Sequence, residues 1–230
     1  MVILDIRIDS KCGLDFELGL VERPVIPTAK RKFEKIEVPG RHGSLTKKDA
    51  FEDVTFSVKF NLLERVNIKP LVRRIKGWLL QAKVLSFTDD EEIYRKVKHV
   101  EIGDIANDIE EYGLFDVTFT TDPFEYAICQ PIEIERPVAL FNPGTFEALP
   151  KLIVYGKGDI TITFHSVSFQ IKDVRDGTII DSELMEAYAG TTPMNDKMVG
   201  KFPYFEVGEN TISWTGNLTK LIIEPRWRYT

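Results

Sequence analysis

Hydrophobic residues recur at every second position along most of the chain. Leu4, Ile6 and Ile8 alternate with polar or charged neighbours, and so do Phe56, Val58 and Phe60. The same pattern returns at Phe115, Val117 and Phe119, at Ile160, Ile162 and Phe164, and at Phe169 and Ile171. Successive strand side chains point to opposite faces, so each run predicts a strand with one face in a core. Turn-forming residues punctuate the runs: Pro39-Gly40, Asp89-Asp90, Asn142-Pro143-Gly144, Gly156-Lys157-Gly158, Asp176-Gly177 and Gly208-Glu209-Asn210. Many short strands separated in this way predict a sandwich or barrel.

One segment follows a different period. Across residues 68–82 the apolar positions are Ile68, Leu71, Val72, Ile75, Trp78, Leu79 and Ala82, which share one face of an α-helix. Asn67 suits the N-cap, and Pro70 falls in the first turn, where a missing N–H costs little. Trp78, the largest of the apolar set, is the candidate anchor of the helix on the N-terminal sheet. Lys69, Arg73, Arg74, Lys76 and Lys83 lie on or near the polar side. No aromatic residue interleaves with them, so they read as a solvated face, not a nucleic-acid platform. Residues 137–150 contain Pro137, Gly144 and Pro150 between two β-patterned blocks. That break divides the chain into residues 1–136 and residues 137–230.

Composition narrows the classes. The chain has 230 residues, 43% hydrophobic and 29% charged, enough to bury a substantial core and too polar for a membrane protein. No apolar run reaches the length of a bilayer span. The start, Met1-Val2-Ile3-Leu4-Asp5, lacks a basic region and a long apolar stretch, so synthesis in a cytosol is expected. A net charge of −6 argues against a tight grip on nucleic-acid phosphates.

Candidate chemistry is sparse. His42, His99 and His165 show no metal-ligand spacing, and Cys12 and Cys129 are far apart and read as buried or half-buried free thiols. His165-Ser166 lacks the context of an activated nucleophile and suits a strand-end turn. Asp89, Asp90, Glu91 and Glu92 read as a solvated hairpin turn, and Asp108, Glu110 and Glu111 likewise as loop. Neither Gly156-Lys157-Gly158 nor Gly40-Arg41-His42-Gly43 precedes a helix, so neither suits a phosphate loop. Trp214 alternates with Ile212 and reads as core, whereas the face of Trp227 stays open. The expectation is a protein without catalytic residues, metal or cofactor.

Four stretches together resemble the distal tail (Dit) proteins of siphophages that infect Gram-positive bacteria. They are residues 38–45, with Pro39, Gly40, Arg41 and Gly43; residues 113–126, ending in Asp122-Pro123-Phe124-Glu125-Tyr126; residues 142–158, from Asn142-Pro143-Gly144-Thr145 through Pro150 to Gly158; and residues 180–228, from Ile180-Asp181-Ser182-Glu183 through Phe202-Pro203 to Arg226-Trp227-Arg228. The resemblance implies a mainly β protein. Its N-terminal domain would be a β-sandwich or barrel-like structure with one α-helix, and its C-terminal domain a galectin-like β-sandwich. Six copies of the N-terminal domain would close into a ring at the tail tip, assembled in the host cytoplasm. The ring would join the tail tube protein to the tail-associated lysin or fibre and, in some phages, to receptor-binding proteins. DNA would pass through without specific binding, and no membrane is involved. The loop Gly40, Arg41, His42 and Gly43, within the stretch 30–48, is the candidate inter-subunit contact. The chain is short for the family and leaves no room for a large inserted carbohydrate-binding module. Two alternatives stay open: a carbohydrate-binding adsorption module, and another tube or baseplate subunit.

Overall fold

The computed structural model describes residues 4–62, 68–104, 113–165 and 167–230. Asn67, Asp108, Glu110, Glu111 and Ser166 lie outside the described residues, as does the side chain of Ile68. The chain forms two compact units, Met1–Glu125 with Thr230, and Tyr126–Tyr229. It is mainly β, with a single α-helix, Ile68–Leu80, among the described residues.

The first unit contains strands β1 (Ile6–Ile8), β2 (Lys11–Cys12), β3 (Leu18–Leu20), β4 (Arg31–Glu37), β5 (Ser44–Phe51), β6 (Val54–Leu62), β7 (Val84–Phe87), β8 (Asp90–Ile102) and most of β9 (Leu114–Ala127). Its main sheet runs β2-β1-β7-β8-β9-β6-β3. The pairing of β6 with β9 shows why alternation specifies register. Phe56 faces Phe119, Val58 faces Val117 and Phe60 faces Phe115, and the two Phe pairs stack with centroids 6.0 and 5.6 Å apart. All six are buried, while the opposite face carries hydroxyl pairs, Thr55 with Thr120 at 3.1 Å and Ser57 with Thr118 at 2.9 Å. A slip of one residue would exchange these faces.

The helix packs on this core through Ile75 and Leu79, both completely buried. Trp78 is only half-buried: it stacks on Phe16 at 4.5 Å, and its indole N–H donates to the Ile8 carbonyl at 3.4 Å. The deepest contacts of the helix are therefore aliphatic, and Trp78 sits at their margin.

The second unit contains β10 (Ile132–Ile134), β11 (Val138–Asn142), β12 (Lys151–Phe164), β13 (Val167–Val174), β14 (Thr178–Asp181), β15 (Glu186–Ala189), β16 (Thr192–Pro193), β17 (Met198–Gly200), β18 (Gly208–Glu224) and β19 (Arg228–Tyr229). Two long strands organise it. β12 pairs β14 with its first residues and β13 with its last, while β18 pairs β10 near one end and β11 near the other. The branched sheet curls around one core, where Phe205 meets Phe164 and Trp227 edge-on at 5.2 and 4.8 Å. Trp227 is thus a buried residue, and Trp214 packs partly against the same core.

Two sequence expectations change here. The division expected after residue 136 falls between Glu125 and Tyr126. Residues 137–150 lie inside the second unit, since β11 pairs β18 and Ala148 is completely buried and bridged to Phe205. Gly156-Lys157-Gly158 is not a turn between strands but an irregularity within β12, where the register against β18 shifts. Gly156 is required there, because a Cβ would stand 2.3 Å from the Asn217 carbonyl.

The carboxylate of Asp181, 3% exposed, receives two hydrogen bonds of 2.8 Å from Arg226, which sits at φ 54° in the left-handed region. The same carboxylate accepts the N–H groups of Glu183 and Leu184 at 3.1 and 3.2 Å. Burial pushes the Asp181 carboxyl up, but the guanidinium and the two N–H groups outweigh it and hold it below the ordinary range.

Two outcomes follow from this packing. Leu79→Ala should destabilise the first unit by about 2–5 kcal/mol, and Trp78→Ala by less, since its ring is not fully enclosed. Denaturant titration checks the order. Because the folded-state carboxyl of Asp181 is depressed, its contribution is present above the unfolded value and lost as pH falls through the folded one. The stability gap between the parent chain and Asp181→Asn should therefore shrink below about pH 4. A gap that stays constant in titrations down the acid range would contradict this.

Candidate assembly surface

The residues expected as an inter-subunit loop lie at the tip of a two-stranded arm. β4 and β5 pair only with each other among the described residues, from Arg31 opposite Phe51 to Glu37 opposite Ser44. At about 3.3 Å per residue the arm is roughly 25 Å long. Pro39 and Gly40 hold the centre of its tip: Arg41 N–H donates to the Val38 carbonyl at 3.1 Å, and Gly40 has φ 80°. This is the geometry of a type II turn, in which Pro presets the first central residue and Gly supplies the positive φ of the second. Gly43, also at φ 80°, returns the chain into β5. Arg41 and His42 are exposed on this tip.

At its root, Glu52 N–H donates to the Lys30 carbonyl at 2.8 Å, and Phe51 meets Phe124 edge-on at 5.6 Å. Arg31 lies over Phe51 at 5.3 Å and donates to the Asp49 carbonyl at 2.9 Å. Along the arm itself, among the described residues, both faces are largely open, with only the Lys35 ammonium over the Phe33 ring at 5.9 Å. Phe33 is 60% exposed, Ile36 and its cross-strand partner Leu45 are each 41% exposed, and Glu34 pairs with Lys47 at 3.5 Å. Apolar side chains and two unpaired strand edges in water form a surface that gains from a partner. The stretch 30–48 expected as a contact element thus carries the apolar Phe33, Ile36 and Leu45 along the arm in addition to the Gly40 to Gly43 tip.

The other candidate groups do not converge. His42 is on the arm tip, His99 is exposed with Glu101 at 3.3 Å, and His165 occupies a turn at φ 44°. Asp89 to Glu92 span the β7–β8 turn, where Asp89 pairs with Arg23 and Glu91 with Arg7. Cys12 is half-buried and Cys129, on the connection between β9 and β10, is exposed, so the second thiol departs from the buried or half-buried reading. Among the described residues no three His, Cys, Asp or Glu side chains gather as a metal would require.

No family model matches the chain. No curated protein matches it in sequence either. Solved structures do match. The Dit protein of phage SPP1, described as a paradigm of the hub adsorption apparatus in phages infecting Gram-positive bacteria, aligns with a TM-score of 0.69 at 12% identity, over 96% of this chain and 98% of that one. The chain shares the Dit fold. A chain of the phage P2 baseplate in its activated conformation with calcium aligns with a TM-score of 0.54 at 12% identity, over 100% and 99% of the two chains. The Dit fold thus extends over both units, β-rich with one helix, as the motif order implies.

An uncovered hairpin with a basic tip is an open substrate for proteolysis. Limited trypsin digestion of the free chain should cut first at Arg41 and leave both units folded. A first cut in the second unit, such as after Lys151 or Lys172, would contradict the arm as described.

Proposed function

We propose that this chain is a structural hub of a phage tail tip, built as a ring of copies, six in the simplest form, with no catalytic role. The observation that carries the reading is the uncovered arm β4–β5 on a chain that has the Dit fold along its whole length. An arm that reaches from one subunit onto a different surface of the next makes a head-to-tail contact, and such contacts close into rings when the rotation fits. Strand edges and the exposed Phe33, Ile36 and Leu45 supply the two components of that contact, main-chain pairing and apolar burial. Arg41 and His42, at the tip, would reach farthest along the neighbour. The first unit would form the ring, and the second, read as a galectin-like sandwich, would decorate it.

The hub would join the tail tube protein to the tail-associated lysin or fibre, with receptor-binding proteins as further partners, in the virion at the tail tip. A net charge of −6 suits a channel through which DNA slides without being held.

The test is assembly of the full chain against a variant in which residues 31–51 are replaced by a short Gly-Ser linker. Light scattering over a concentration series and negative-stain images should show rings for the parent chain and monomers for the variant. Replacing Arg41 should weaken association without unfolding either unit. Rings formed equally well without the arm would contradict the proposal.

A further inference from the structure

The second unit presents one strand edge that lacks every usual protection. Edge strands are normally blunted by shortness, charge, proline or a bulge. β2 and β3 are short, β16 contains Pro193, and β10 carries Glu133. β11, by contrast, reads Val-Ala-Leu-Phe-Asn over Val138–Asn142, without charge, proline or glycine, and pairs only with β18 among the described residues.

The pairing fixes which groups point outward. His165 N–H donates to the Thr211 carbonyl at 2.7 Å, so Thr211 turns its main-chain groups away from β11. Ala139 stands opposite Thr211, and Phe141 opposite Glu209 two residues on. In an antiparallel pair the N–H and C=O of one residue share a side and the side alternates along the strand. Ala139 and Phe141 therefore direct both their N–H and C=O groups away from β18. Both residues are exposed, Phe141 at 68%, while Val138 and Leu140 pack toward the core.

We propose that β11 is an acceptor edge for an extended segment of another tail-tip protein, which adds a strand to the second unit. This rests on the hub reading above. The segment would pair its main chain with Ala139 and Phe141 and carry Arg or Lys on its outer face beside Phe141. The stem of that side chain lies along the ring and its charge meets Glu209, which is exposed and lacks an ion pair among the described residues. A second copy of β11 offers no cation for that position, and in the hub reading the basic arm is engaged with its neighbour.

Amide hydrogen exchange on purified, assembled chain and on tails isolated from the phage that encodes it tests the inference. The Ala139 and Phe141 amides should exchange fast in the assembled chain and slow by about tenfold or more in the tails, as strand pairing requires. Equal rates in both states would overturn the acceptor edge. Slow rates already in the assembled chain would overturn it too, since a copy of the chain would then fill the edge. Absence of the chain from the tails would defeat the hub reading itself, and the acceptor edge with it. As a second readout, Phe141→Lys should lower the infective titre by about tenfold or more through loss of the added strand, with the melting temperature of the isolated chain unchanged. An unchanged titre would overturn the proposal.

Discussion

Each edge of a strand carries main-chain donors and acceptors that need a partner, whether another strand, a side chain or water. In the first unit that need is met by a sheet whose ends are short strands. In the second it is met by two long strands, β12 and β18, which each serve different partners along their length and so curl the sheet around a core. Among the described residues, the arm and β11 keep edges that neither shortness nor proline closes. The features that suggest assembly are thus what remains once the two units have satisfied themselves.

The interior is held by complementary roles of opposite faces. Phenylalanines stack on the buried side of β6 and β9 while threonine and serine hydroxyls pair on the other, so the sheet gains on both sides from one register. Two carboxylates that enter the interior are enclosed by hydrogen bonds. Asp5, 3% exposed, accepts the Leu14 N–H at 3.1 Å, and Gly13 leaves room for that carboxylate, since a Cβ would stand 2.6 Å from it. Asp181 and Arg226 do the same in the second unit and tie the last residues of the chain to the turn after β14.

How much of this was legible follows from burial. Strands with one buried face, such as β6, β9 and the second half of β12, announce themselves by period two, and the helix by its apolar stripe. The arm did not: both faces of β4 and β5 are exposed, so no alternation marks them, and only Pro39 and Gly40 gave the turn away. The unit boundary was hidden because β9 runs through it as one strand, whereas the prolines at 137 and 150 border elements of a single unit. β11 was opaque for the opposite reason. A continuous apolar run carries no period, so sequence could not say that Phe141 faces out while Leu140 faces in. The order of short motifs conveyed what local patterns could not, the likeness of the whole fold to that of the SPP1 Dit protein at 12% identity.

The central claim is that the arm is the element by which copies hold one another. A cryo-electron microscopy map of the assembled tail tip, at a resolution that separates strands, examines it directly. The account predicts that β4 or β5 of every copy lies in main-chain pairing distance of the adjacent copy, with Phe33 removed from solvent. Arms that extend freely from a closed ring, with Phe33 still in water, would contradict it.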